Sequence, residues 1–148
     1  MASSEIKVLI FTLNGEFYAT DIMEVERILG FEEPTVLPEA PEFVQGVINY
    51  EGSILPIISL SKKFSMMDNK REDAKIIVVK QEEDKIGIVV DQVTEVGNIN
   101  LEEVENPPHI STSLSKRYIK GLIKLKEKII IFLNLAEILS SEEKEQLK

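Results

Sequence analysis

Catalytic chemistry at neutral pH needs a histidine, a thiol, a paired carboxylate or a phosphate-binding glycine loop, and this chain offers few of these. His109 is its only histidine, with Ser111 and Ser113 two and four residues on. Residues so spaced on a loop rarely make a nucleophile–base pair, and no oxyanion-hole motif accompanies them. His109 therefore reads as a solvent-exposed loop residue. Ser59-Leu-Ser-Lys62 and Ser113-Leu-Ser-Lys116 both fit S-x-x-K. That pattern carries chemistry only with its partner motifs, and neither S-D-N nor K-T-G occurs. The carboxylate pairs Glu32-Glu33, Glu82-Glu83 and Glu102-Glu103 fall in predicted turns and read as solvated turn charges rather than acid–base pairs, since such a pair needs burial or a close like charge. There is no cysteine, no dinucleotide or P-loop glycine motif and no EF-hand loop. The residues give no reason to expect an enzyme, a metal site or a bound cofactor.

Net charge is −9, with 43% hydrophobic and 29% charged residues. This is the composition of a globular protein without the basic face that phosphate backbones demand, so nucleic-acid binding is not expected. Aromatic residues, at 6%, are too few for a base-stacking platform. The N-terminal Met-Ala-Ser-Ser-Glu-Ile lacks a basic start and an apolar signal core, and the longest apolar run, Ile129–Leu133, is too short to span a bilayer. The expected location is the cytoplasm, with membrane association only through partners.

The most informative stretch is Phe43–Phe64. Two apolar runs, Phe43–Tyr50 and Ile54–Leu60, flank Glu51-Gly52-Ser53, a hairpin turn signal. Seventy-five positions on, the pattern returns: Phe43 falls on Tyr118, Gly46 on Gly121, Ile48 on Ile123, Ile54 on Ile129 and Leu60 on Leu135, around a polar turn at Lys126-Glu127-Lys128. The segments before each hairpin also match. Residues 6–13 and Glu16–Ile22 read as strands joined at Asn14-Gly15, leading to Asp21 and an amphipathic stretch. Lys75–Lys80 and Ile86–Val90 read as strands joined by a charged turn, leading to Asp91 and another amphipathic stretch. Ile22, Val25, Ile28 and Leu29 repeat at helical spacing and predict a short helix or irregular turn, capped by Asp21 and stopped by Gly30. Residues 32–42, with Pro34, Pro38 and Pro41, predict a rigid loop holding at most a short edge strand at 35–37. Pro56 predicts an edge strand or a bulge. Residues 61–67 predict one helical turn, 68–73 a polar connector, and 109–117 a loop. Residues 136–139 predict the start of a terminal helix, and Ser140-Ser-Glu-Glu143 a capped helix start.

These elements make a mainly β chain forming one domain over 1–148. It consists of two related halves, about 1–72 and 73–148, between which strands can be exchanged. Small sheets of this kind hide their edges by curling into barrels. Runs such as Ile54–Ile58 and Ile129–Leu133 show little alternation and predict strands buried on both faces.

The Phe43-Val-Gln-Gly-Val-Ile-Asn49 segment, with Gly52, Ile54-Leu-Pro-Ile-Ile58 and Leu60, resembles the F-V-x-G-V-I-N-L-R-G-x-I-V-P-V-I-D-L signature of the CheW family of chemotaxis coupling proteins. Phe11–Ile22 resembles the family's opening hairpin and Gly87-Ile-Val-Val-Asp-Gln-Val93 its G-L-V-V-D-x-V. Asn106-Pro-Pro108, Tyr118-Ile-Lys-Gly-Leu122 and the closing Ile-Phe-Leu-Asn-Leu also fit, so the likeness runs over roughly residues 5–140. The resemblance implies two five-stranded SH3-like β-barrels around a shared core, with short helices, one of them C-terminal. It implies a non-enzymatic adaptor linking the histidine kinase CheA, through its regulatory domain, to the cytoplasmic tip of chemoreceptors (methyl-accepting chemotaxis proteins). A receptor helix would lie in an apolar groove whose wall candidates are Ile22, Val25, Gly46, Val93 and Val96; Gly46 also reads as a backbone requirement of its strand. Gly52, at the tip of the signature hairpin, joins the candidate binding set. Two further candidates depart from the family pattern. Glu51 stands where the family has Arg in N-L-R-G, and Arg27 where it has Glu in V-x-E-I. Both signs are reversed, which predicts that residues 27 and 51 face each other as a swapped ion pair. Ser59, for the usual Asp, reads as local hairpin chemistry. Alternatives are a CheW-like coupling protein of a non-flagellar sensory kinase system, a two-barrel ligand- or nucleic-acid-binding module, and a small hydrolase using His109.

Overall fold

A computed structural model of the chain describes residues 4–66, 73–81, 83–106, 118–140, 143 and 145. Ten strands run in the order β1 (Glu5–Leu13), β2 (Glu16–Asp21), β3 (Val25–Gly30), β4 (Val44–Tyr50), β5 (Ser53–Ser59), β6 (Lys75–Gln81), β7 (Asp84–Val90), β8 (Gln92–Asn100), β9 (Ile119–Leu125) and β10 (Lys128–Leu133). One short helix, α1 (Leu60–Lys63), follows β5, and 3₁₀ turns occupy Ile22–Glu24, Leu101–Glu103 and Leu135–Glu137. The strands form two five-stranded sheets, ordered β8-β1-β2-β10-β9 and β3-β6-β7-β5-β4.

The repeat in the sequence becomes a pseudo-twofold in the topology. Replacing β1–β5 by β6–β10, and the reverse, turns the first strand order into the second. Each sheet takes a leading hairpin from one half and an edge strand with a trailing hairpin from the other. The seams are parallel: β2 pairs with β10, and β5 with β7. The chain crosses between sheets at Ile22–Glu24 and at Asp91. Asp21 caps the first crossing, accepting from the Met23 N–H at 2.9 Å. Asp91 is buried at the second; it donates its N–H to Thr12 O (3.0 Å) and accepts from Asn14 N–H (2.8 Å).

Strands buried on both faces explain the missing alternation. In β1, Val8 and Ile10 face a cluster inside the first sheet, with Ile99, Ile123, Ile130 and Phe132. Leu9, Phe11 and Leu13 face a larger cluster shared between the sheets, with Ile58, Ile77, Val79, Ile88 and Leu133. In β6, Ile76 and Val78 face the second sheet's own cluster with Ile48, Tyr50, Leu55 and Ile57, while Ile77 and Val79 face the shared one. The double burial has limits: Ile54 and Ile129, the first apolar residues of their runs and 75 positions apart, are exposed.

Several local expectations change. β5 is an interior strand, so Pro56 marks neither an edge nor a bulge. Counting from the two-residue Glu51-Gly52 turn, Pro56 opposes Val47 at a position where antiparallel strands exchange no hydrogen bond, and pairing with β7 begins only at Ile57. The missing N–H costs nothing there. Residues 22–29 are not a helix: only Ile22–Glu24 form a 3₁₀ turn before β3 begins. The strand foreseen at 35–37 is a single bridge, Thr35–Val47. The helical turn expected within 61–67 lies at Leu60–Lys63, capped by Ser59 Oγ, which accepts from Lys62 N–H at 3.2 Å. Leu135–Glu137 is a 3₁₀ turn rather than the start of a helix. The capping box beyond it is present, with Ser140 N–H donating to Glu143 Oε1 (2.7 Å) and Glu143 N–H to Ser140 Oγ (3.1 Å).

Candidate functional site

The side chains that could meet a partner are set by the β-bulges on two of the four edge strands, β3 and β8. On β8 the pairing with β1 skips Thr94: Glu95 opposes Ile10 and Val93 opposes Phe11. Thr94 Oγ1 donates to Ile10 O at 3.1 Å and holds the bulge. On β3 the pairing with β6 skips Glu26: Val25 opposes Val79 and Arg27 opposes Val78. An extra residue resets the alternation, so residues three apart share a face. Val93 and Val96 thus lie opposite Phe11 and Leu9, and Val25 and Ile28 opposite Val79 and Ile77, all four partners being shared-core residues. Cross-strand partners point to the same side of a sheet. β3 and β8 therefore each carry a two-residue apolar wall on the shared-core face, its first residue half-buried and its second, Ile28 or Val96, exposed.

The structure places the sequence candidates as follows. Ile22, Val25 and Val93 pack on the margin of the shared core, and Val96 projects beyond it. Ile28 belongs with them and was missed as a wall residue, although the matching pairs Val25–Ile28 and Val93–Val96 were visible after each half's Asp. Gly46 is buried, at φ +146°, with the Thr35 carbonyl passing so close that a Cβ would sit 2.2 Å from its oxygen. It serves the backbone and presents no wall. At its counterpart Gly121 an added Cβ would likewise sit 2.6 Å from Glu105 O. Gly52 holds the hairpin turn at φ +81° and donates its N–H to Asn49 Oδ1 at 3.2 Å. His109, Ser111, Ser113, Lys116 and Pro107-Pro108 lie outside the described residues.

Arg27 and Glu51 meet as expected, Nη1 to Oε1 at 3.0 Å, with side chains 54% and 52% exposed. They are joined by residues the sequence did not flag. The Tyr50 ring is buried, with the Arg27 guanidinium 5.7 Å and the Lys85 ammonium 5.6 Å from its centre. Its hydroxyl donates to Glu26 Oε2 at 2.7 Å, while Lys85 Nζ is 3.0 Å from Glu26 Oε1. Burial, then the bond to Glu26, pushes the Tyr50 phenol up to about 12. The Tyr50 and Lys85 hydrogen bonds hold the Glu26 carboxyl below its ordinary value. Among the described residues, no cluster of His, Asp and Glu is placed to hold a metal ion, and no helix is long and apolar enough to cross a membrane. The arrangement offers apolar edge walls beside a charged hairpin tip, and among these described residues no nucleophile–base pair is formed.

Residues 7–143 match the family model described as the CheW-like domain. The chain belongs to the CheW family. It is 37% identical over 136 residues to the chemotaxis protein CheW of Klebsiella aerogenes, covering 91% of this chain and 82% of that one. It is 29% identical over 148 residues to the CheW of Treponema pallidum, covering 97% and 87%. A solved CheW, the scaffolding protein TtCheW from Thermoanaerobacter tengcongensis, superposes with a TM-score of 0.84 at 34% identity, covering 95% of this chain and 96% of that one. The two-sheet fold and the edge-strand walls are thus set in a CheW scaffold matched nearly end to end.

Proposed function

We propose that this chain is a non-enzymatic adaptor that couples the cytoplasmic tips of chemoreceptors to the regulatory domain of the histidine kinase CheA in chemotaxis signalling. The observation that carries the reading is the near full-length match to CheW proteins, one of them named a scaffolding protein. The mechanism is binding alone. A receptor helix docks by laying an apolar stripe against Val25 and Ile28 on one edge strand and Val93 and Val96 on the other, with Ile22 at the crossing between sheets. Helix-in-groove recognition uses apolar anchors for affinity and a polar rim for register. Arg27 and Glu51 supply that rim. The adaptor works in the cytoplasm and reaches the inner face of the membrane through its partners. The test is co-sedimentation of the protein with CheA and receptor cytoplasmic fragments, read as kinase activity. A ternary complex with altered kinase output is expected; its absence would sink the reading.

A further inference from the structure

The polar cluster at the β4–β5 tip does more than decorate a turn. β3 and β4 are the two opposite edges of the second sheet, and Tyr50 lies between side chains of β3 and β7. The bulge at Glu26 lets consecutive residues, Glu26 and Arg27, both reach the tyrosine. The result is an alternating chain of charge, Lys85, Glu26, Arg27, Glu51, wrapped around one buried ring.

The molecule contains its own control. At the pseudo-equivalent tip of the first sheet, 75 positions on, Leu125 stands for Tyr50 and Lys126 for Glu51. That tip keeps the same hairpin, with two positive-φ residues, Lys126 and Glu127. Near it Lys128 lies over the Phe17 ring at 4.4 Å and Lys124 pairs with Glu105 at 3.3 Å. The same turn thus forms with leucine at the equivalent position of the other hairpin, so the hairpin geometry by itself does not call for the tyrosine network.

We propose that Tyr50, Glu26 and Lys85 are positioning residues that hold the Arg27–Glu51 pair in one orientation for a partner. The inference deepens the adaptor reading and rests on it for the identity of that partner. An exposed Arg–Glu pair ordinarily samples many rotamers and contributes little. A guanidinium laid on an aromatic face, with its carboxylate partner on the adjoining turn, has lost that freedom before binding. A partner then meets charges already in register and forfeits less side-chain entropy on docking.

The experiment uses the full chain and four proteins: wild type, Tyr50→Leu, Glu51→Ala and the double variant. Leucine is chosen because the other tip shows that the hairpin accepts it. Urea midpoints check folding. Relaxation of the Arg27 Nε–H group by NMR reports its side-chain order, a readout that general packing loss would not move selectively. Tyr50→Leu should loosen Arg27 to the level seen in Glu51→Ala. It should weaken the complex with CheA and receptor fragments by up to about fivefold, the scale of a single exposed pair. The double variant should bind no worse than either single one. Unchanged Arg27 order in Tyr50→Leu would overturn the proposal, as would losses that multiply in the double variant. Failure of the wild type to form any complex would overturn the coupling reading instead, and the relaxation comparison would still decide whether Tyr50 fixes Arg27.

Discussion

Four glycines separate two costs that are usually entangled, backbone strain and lack of room. At Gly46 an added Cβ meets both. The residue sits at φ +146°, and the methyl would lie 2.2 Å from Thr35 O, an atom tied down by Val47 N–H at 2.9 Å while Thr35 N–H donates to Val47 O at 2.8 Å. At Gly121 only room is lacking: the methyl would lie 2.6 Å from Glu105 O and 2.4 Å from Val104 Cγ1. At Gly52 only strain arises, since φ is +81° and nothing lies within 4 Å. At Gly30 neither applies. Left-handed backbone costs a non-glycine residue about 1–2 kcal/mol, and forcing a methyl into a packed site about 1–3 kcal/mol. Alanine should therefore cost about 1–2 kcal/mol at Gly52, about 1–3 kcal/mol at Gly121 and about 2–5 kcal/mol at Gly46, with a change under about 0.5 kcal/mol at Gly30. Urea unfolding with a common slope gives the four values as midpoint shifts. If Gly46→Ala proves no worse than Gly52→Ala, the close pass of the Thr35 segment does not hold this sheet together.

Arg27→Glu and Glu51→Arg should each change stability by under about 1 kcal/mol, both side chains being half exposed, yet each should weaken receptor–kinase complex assembly, and the double reversal should restore it. A double variant worse than both singles would refute the paired reading. Ile28→Asp and Val96→Asp should cost no more than about 1–2 kcal/mol of stability by urea unfolding, the side chains being partly exposed, while lowering co-sedimentation with receptor fragments. With Tyr50 raised from 10.0 to about 12, its contribution is full below 10 and is lost as pH climbs to about 12, since the unfolded chain releases the proton first. Tyr50→Phe should flatten that part of the stability profile, leaving a residual slope from Tyr18, which burial also raises. Burial acts to raise the Glu143 carboxyl, but bonds from Lys63 and Ser140 outweigh it and leave the group lowered from 4.5. Its contribution is present above 4.5 and is lost as pH falls through the folded value; Lys63→Met should shrink that acid-side loss in a pH series of thermal melts, the Ser140 bonds remaining.

Much of the architecture was legible because the chain says it twice. The recurrence of Phe43–Leu60 at Tyr118–Leu135, and the Asn14-Gly15 turn, mark hairpins by local chemistry that tertiary context did not override. The bulges were not legible. Val25–Ile28 and Val93–Val96 have the spacing of a helix, and an inserted residue in a strand produces the same spacing on one face; only the pairing partner distinguishes them. Pro56 misled for a related reason, since a proline is tolerated wherever its missing donor would have had no acceptor. At the candidate site, the Arg27–Glu51 contact could be inferred from two charges each reversed relative to the family pattern. Tyr50, Glu26 and Lys85 left no such trace, because a tyrosine in a strand usually signals packing alone.

The exchange of hairpins between the sheets has a consequence for synthesis. The second sheet draws its strands from residues 25 to 90 and can be completed while the rest of the chain is still being made. The first sheet opens the polypeptide with β1 and β2 but lacks its remaining strands until residue 133 has been added. Until then the strands that cover Val8 and Ile10, which supply Ile99, Ile123, Ile130 and Phe132, are missing, whereas Leu9, Phe11 and Leu13 already have the second sheet's Ile58, Ile77, Val79 and Ile88 to pack on. The β1–β2 hairpin is thus the part of the fold whose two faces depend on the most distant segments of sequence, a long-range dependence that slows closure of a β-sheet.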